Sequence, residues 1–267
     1  MKQKLEEQKE VHQRLSQLLE AEANPATAEW FTNYLKGAIR YRGVKTPALK
    51  GILSEFFLAT GLDKESDAVQ LNHIRYWLSI PMAEDKFTAI LWLQKWFRHR
   101  QAGAQRSNAL GRIFDLLENV FACGDIHDWS TNDWLCVRVL ETIPKKHPDF
   151  IDRLVGWREA SSVWQRRSGL LAFKKSIKAG AFHEEVEGIV AKLLPTEERF
   201  VQTAIGWVLS DASRTHPHWA ARMFERHFGD LSHEVIVRHT KHLPNHTDLK
   251  KRSQFRKRRN EKIEPFS

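Results

Sequence analysis

Apolar residues recur every three to four positions along nearly the whole chain, and no stretch alternates strictly enough to predict a strand. The first such pattern, over residues 5–19, is a charged amphipathic helix. Asn24 then offers a side-chain cap and Pro25 a first helical turn, so the chain restarts there. Trp30, Leu35 and Ile39 mark a second helix, which stops before Y-R-G-V-K-T-P. Gly43 and Pro47 punctuate that turn, and Thr46 is placed to cap the next helix. Further helices are predicted over 48–58, 67–78, 84–99, 107–122, 130–143, 149–158, 162–178, 184–194, 197–213, 218–228 and 233–242.

These segments run about ten to twenty residues and are joined by short polar links. That is the rhythm of stacked antiparallel helix pairs at about forty residues per pair, about six pairs in all. The expected fold is therefore all-α, an α-solenoid of HEAT-like repeats with a concave basic face, occupying a single domain over residues 1–245. No sequence repeat is visible, so a compact irregular helical bundle is the alternative. Residues 246–267 form a basic C-terminal tail containing K-K-R-S-Q-F-R-K-R-R around Phe255. Such a charge run reads as disordered and solvated, and able to touch phosphates.

Composition narrows the class of partner. Lys and Arg number 42 against 33 Asp and Glu, a formal charge of +9 that attracts polyanions, nucleic acid first among them. The 10 Trp offer flat faces as well as core volume. Only Cys123 and Cys136 are present, without C-x-x-C spacing, which argues against a disulfide scaffold and for a reducing cytosol. No apolar run approaches membrane-spanning length and the N-terminus lacks a signal core, so the expectation is a cytoplasmic protein without a membrane partner.

Four residues on otherwise apolar stretches carry the candidate chemistry. Trp129 and Asp133 are four apart in D-W-S-T-N-D-W and share a helix face, which Cys136, Val137 and Leu140 continue. An Asp there needs a partner or a cleft; alternatively, it is a first-turn carboxylate favoured by the helix dipole. Arg167 in W-Q-R-R shares a face with Val163, Leu170 and Leu171, so its guanidinium must snorkel out or find an anion such as Asp133 or a phosphate. Arg166 points elsewhere and reads as a surface or backbone contact. Trp207 lies beside the stripe of Val201, Ile205, Val208, Leu209 and Ala212, and Gly206 before it implies a close helix approach. Each is as readily structural as functional when taken alone. The chain has no phosphate-binding Gly-rich loop and no G-x-S-x-G or H-E-x-x-H motif, and His239, His242 and His246 do not read as a metal site.

Taken in order, W-S-T-N-D, W-Q-R-R and E-R-F-V-Q-T-A-I-G-W-V-L resemble the AlkD-like DNA alkylation repair family, helical-repeat alkylpurine DNA glycosylases. Y-R-G-V-K-T-P-A-L-K resembles that family's early Gly-Val/Ile-x-Thr-Pro turn, and residues 84–93 its next helix. The resemblance implies a monofunctional glycosylase that releases positively charged N3- or N7-alkylated purines from duplex DNA. In that scheme Trp129 and Trp207 contact the deoxyribose of the lesion, Asp133 is the catalytic carboxylate and Arg167 holds the backbone near it. Arg166, Lys45 and Lys174 would contact DNA. The implied enzyme needs no cofactor and acts as a monomer. Ser210 stands where family members often carry Arg, and Thr203 replaces a basic residue. Those departures define the alternative, a non-catalytic DNA-binding protein on the same scaffold.

Overall fold

A computed structural model describes residues 2–100 and 106–263. The chain is all-α, with helices packed in pairs in the manner of an α-solenoid. Among the described residues the only β pairing is an isolated bridge between Arg40 and Met82. Two compact units, Met1–Val139 and Leu140–Ser267, divide it.

The first unit holds α1 (Lys2–Ala21), α2 (Pro25–Tyr34), α3 (Thr46–Thr60), α4 (Asp67–Ser79), α5 (Ala83–His99), α6 (Arg106–Ala122) and α7 (Trp129–Arg138). Asn24 caps α2 as its sequence predicts, its Oδ1 accepting from the Thr27 N–H at 2.8 Å. Thr46 does not cap α3. It is the first helical residue, and Lys45 takes the N-cap position with no side-chain bond.

Helix α5 sits at the centre, packed on α3, α4 and α7. Trp77, Ile90, Trp92 and Phe56 are wholly or almost wholly buried around it, each such side chain stabilising the fold by about 2–3 kcal/mol through removal from water. Its first turn is polar and equally buried, so every charge there needs a partner. The Glu84 carboxylate accepts from the backbone N–H groups of Arg42, Gly43 and Val44 at 2.8–3.2 Å. Asp85 pairs with Arg42 and lies 2.5 Å from His12 Nε2. Lys86 donates to the carbonyls of Leu78 and Asp125, and burial pushes its ammonium down to about 8.

The second unit holds α8 (Ile143–Lys146), α9 (Ile151–Gly156), α10 (Val163–Leu171), α11 (Lys174–Lys178), α12 (His183–Leu193), α13 (Arg199–Ser213), α14 (Pro217–Arg226), α15 (His233–His239) and α16 (His246–Ile263). Helix α13 is its axis, touching α10, α11, α14 and α15. The buried stripe of α13 is the predicted one: Val201, Ile205, Val208, Leu209 and Ala212.

Several predicted elements differ: the second helix ends at Tyr34, before Leu35 and Ile39, and the helices expected over 149–158 and 162–178 are broken into shorter segments. The helix expected over 130–143 ends at Arg138 and resumes as a short 3-10 turn and α8. Pro144 lies in the first turn of α8, where its missing N–H costs nothing. The tail read as disordered is ordered through α16, apart from residues 264–267, which lie outside the described residues. Leu249 and Ser253 are fully buried, and Arg256 donates to the carbonyls of Phe228, Gly229 and Leu231 in the turn between α14 and α15. A charge run docks here because Leu249 and Ser253 share one face of it and the Arg256 guanidinium beside them finds backbone carbonyls.

Candidate functional site

The predicted quartet falls two residues in each unit. In the first unit, the Asp128 carboxylate caps α7, accepting from the N–H groups of Ser130 and Thr131 at 2.9 and 3.0 Å and from both hydroxyls. The cap therefore lies before Trp129, and Asp133 begins the second turn, beyond the first-turn position from which a carboxylate is favoured by the helix dipole. Nor is Asp133 on the apolar stripe. The buried face of α7 is Thr131, Asn132, Leu135 and Cys136, whereas Trp129 and Asp133 are half-buried and Val137 on the same side is exposed. The carboxylate and the indole share a face that meets solvent.

Aromatic rings continue that face. Trp129 meets Tyr34 edge-on at 5.4 Å, and Tyr34 stacks on Trp30 at 5.0 Å with an interplanar angle of 17°. Trp30 and Tyr34 are 57% and 56% exposed, unusual for large rings on a packed helix and a sign of a surface left open for contact. Trp30 therefore does not mark the core face of α2, as expected from sequence. No residue of α2 is buried, and the buried Leu35 and Ile39 lie beyond its end at Tyr34, so they set no helical phase for Trp30. Tyr41 links this cluster to α7 through its hydroxyl and Ser130 Oγ at 2.8 Å. It also stacks on Phe31 at 4.5 Å. Burial raises the Tyr41 phenol well above its ordinary range, so it stays neutral and can donate. Lys45 is exposed at the start of α3.

In the second unit, Arg167 is buried, and its Nη1 donates to the Phe200 carbonyl at 2.6 Å and to Thr203 Oγ1 at 3.2 Å. The guanidinium thus reaches the N-terminal part of α13, and Thr203 is its partner there. Trp207 is half-buried one turn further along. Lys174 Nζ lies 4.4 Å from the Trp207 ring centroid, in cation–π geometry. It is held there by Glu141 at 3.1 Å and Asp211 at 3.5 Å. Burial raises the Glu141 carboxyl above its usual range, and Lys174 partly offsets this. Lys174 is committed to this cluster. Arg166 Nη1 donates to the Ala160 and Ser161 carbonyls at 2.8 and 2.9 Å, the backbone contact its register suggested.

Gly206 is required by close packing. A Cβ at that position would lie 2.5 Å from His239 Cδ2 and 2.9 Å from Val235 Cγ1, both on α15. The His239 imidazole is pushed down to about 4 by burial and by Arg238. Gly206→Ala is expected to destabilise the protein by about 1–3 kcal/mol through overpacking, despite the better helix propensity of Ala. Urea unfolding of the two proteins checks it, and an alanine variant as stable as the parent would contradict the close approach.

Among the described residues no three His, Cys, Asp or Glu side chains are grouped to hold a metal ion. No described helix is long and apolar enough to cross a membrane. Residues 15–243 match the family model described as DNA alkylation repair enzyme. No curated protein matches the chain. Among solved structures it is similar to one described as a predicted DNA alkylation repair enzyme from Enterococcus faecalis. The two share 18% identity over 84% of this chain and 97% of the other, with a TM-score of 0.67.

Proposed function

The chain belongs to the DNA alkylation repair enzyme family, and from that membership we propose that it is a monofunctional glycosylase for positively charged N3- or N7-alkylated purines in duplex DNA. Alkylation places a positive charge on the purine, which weakens the glycosidic bond and makes the base a good leaving group. The bond breaks heterolytically, its electron pair leaving with the base, and the sugar becomes oxocarbenium-like. Asp133 stabilises that cation electrostatically and orients the water whose oxygen adds to the anomeric carbon. The departing proton of that water passes to the carboxylate or to solvent.

The observation that carries this reading is the solvent-facing pairing of Asp133 with Trp129, one helical turn apart on α7. Indole faces favour a cationic sugar or base edge by about 0.5–2 kcal/mol each. Trp30 and Tyr34 extend the same aromatic surface in a form suited to stacking on bases. We assign Trp207 the corresponding role in the second unit. Arg167 bears on the reaction through its hold on α13, where Trp207 sits.

The test is release of N-methylpurine from damaged duplex DNA, quantified by chromatography. Asp133→Asn is expected to lower single-turnover release about a hundredfold, the scale of one preorganised electrostatic stabiliser. Equal release by the two proteins removes Asp133 from the chemistry. The second reading, a non-catalytic DNA binder, draws on the pairing of Lys174 with Glu141 and Asp211, which leaves the surroundings of Trp207 without a spare cation from that residue. It predicts salt-sensitive duplex binding with no base released by either protein.

A further inference from the structure

Helix α16 lies entirely beyond residue 243, where the match to the family ends. It nevertheless carries most of the charge of the chain. Eight basic residues stand against Asp248 and Glu261, a net +6 of the overall +9. Its inner face is fastened to the second unit. Leu249 and Ser253 are buried, and Ser253 Oγ lies 2.8 Å from His233 Nδ1. Arg256 is spent on the Phe228, Gly229 and Leu231 carbonyls, and Arg252 on Glu225 and Asp248. The Arg252 and Arg256 guanidinium groups also lie over the Phe228 ring, at 4.3 and 4.8 Å respectively. The helix is thus held as a rigid rod by residues that take no part in its outer face.

That outer face is a different surface. Lys251, Phe255 and Arg258 fall at i, i+4 and i+7 on the side opposite Leu249 and Ser253, flanked by Lys250 and Arg259. All five are exposed, Phe255 to 72%. None of the four cations forms an ion pair with any described side chain.

We propose that the outer face of α16 is a second duplex-DNA contact, built to hold the phosphate backbone outside the family-matched part of the chain. Eighteen residues make a rod of about 27 Å, a length over which duplex DNA carries on the order of sixteen phosphate charges. A lipid surface fits poorly. A membrane-lying helix needs a free apolar face, and here Leu249 is already buried in the unit. Among the described side chains Phe255 alone remains, enough to pack against a sugar or base edge but not to insert as a stripe. The proposal extends the DNA reading above and rests on it for the choice of polyanion.

The experiment compares the full chain with a variant carrying Lys250→Gln, Lys251→Gln, Arg258→Gln and Arg259→Gln. Binding to an undamaged fluorescent duplex is followed by anisotropy over a series of salt concentrations. With four phosphate contacts removed, the slope of log affinity against log salt is expected to become shallower by about 3–4. A second variant, Arg258→Lys with Arg259→Lys, keeps the charge and should keep the slope. An unchanged slope in the glutamine variant overturns the proposal. So does a loss seen only toward vesicles of phosphatidylcholine and phosphatidylserine. Base release by the parent protein is scored separately. Release with a slope untouched by the substitutions overturns the helix contact and leaves the glycosylase. A slope that falls as expected, in a protein that releases no base, overturns the glycosylase and leaves the contact.

Discussion

Gly43→Ala is expected to destabilise the protein by more than about 4 kcal/mol. Gly43 has φ of 87°, in the left-handed region that a side chain adopts only at a cost of about 1–2 kcal/mol. The larger part is steric. A Cβ there would run into the backbone carbonyl oxygen of Asn24 and lie 2.7 Å from the Ala28 nitrogen. Those two atoms form the first hydrogen bond of α2, at 2.9 Å. Neither belongs to a flexible side chain, so relief requires moving the start of α2, which carries Trp30 and Tyr34. Set against a typical stability of about 5–15 kcal/mol, such a loss decides whether the fold persists. Gly51 is the internal comparison. It lies within α3 and a Cβ on it would meet nothing within 4 Å, so Gly51→Ala should stabilise by about 0.5–1 kcal/mol. Chemical unfolding of both variants measures opposite signs. A Gly43 variant within about 1 kcal/mol of the parent would mean that the turn is loose.

Which parts of this were readable from the sequence depends on whether the signal is local. The Asn24 cap, the α13 stripe and the close approach at Gly206 follow from spacing and residue type over a few positions, and each is found where the sequence places it. The partner of Gly206 is not local: His239 is more than thirty residues away, and nothing in A-I-G-W announces it. The register of α7 misled for a physical reason. Thr131 and Asn132 take the buried face, so the apolar pattern alone rotates Asp133 inward. Asp128, taken as part of a motif, is the residue that fixes the true start of that helix. The α16 tail shows the converse limit. Its charge run is obvious, but order there rests on Leu249, Ser253 and three carbonyls far back in the chain. Arg167 is expected from its register to snorkel out or to find an anion; it is buried, and it donates to the Phe200 carbonyl and the Thr203 hydroxyl, neither of which its own segment announces.

Glu84 carries the second large effect, and it acts on the same turn as Gly43. The backbone of Arg42, Gly43 and Val44 turns three N–H groups toward one point, an anion-binding concavity that the Glu84 carboxylate fills. The carboxylate is fully buried, so removing it strands three donors away from water at about 1–3 kcal/mol each. Glu84→Ala should therefore lose at least about 3 kcal/mol. Glu84→Gln should lose less, about 1–2 kcal/mol, because Oε1 alone accepts from all three groups and an amide carbonyl can take its place. The two positions serve one contact, so their losses should not add: with Gly43 already replaced, Glu84→Ala should cost markedly less than it does alone. Additive losses would separate the turn from the carboxylate. Equal losses for Ala and Gln would show that charge, and not acceptance, is what the turn requires. The consequence reaches the candidate chemistry through Tyr41, which stands next to this turn and holds Ser130 at the start of α7. A loosened turn frees that hydroxyl, and the helix that presents Trp129 and Asp133 loses its tether. In a Glu84→Gln protein that still folds, any fall in base release should therefore exceed what the unfolded fraction explains.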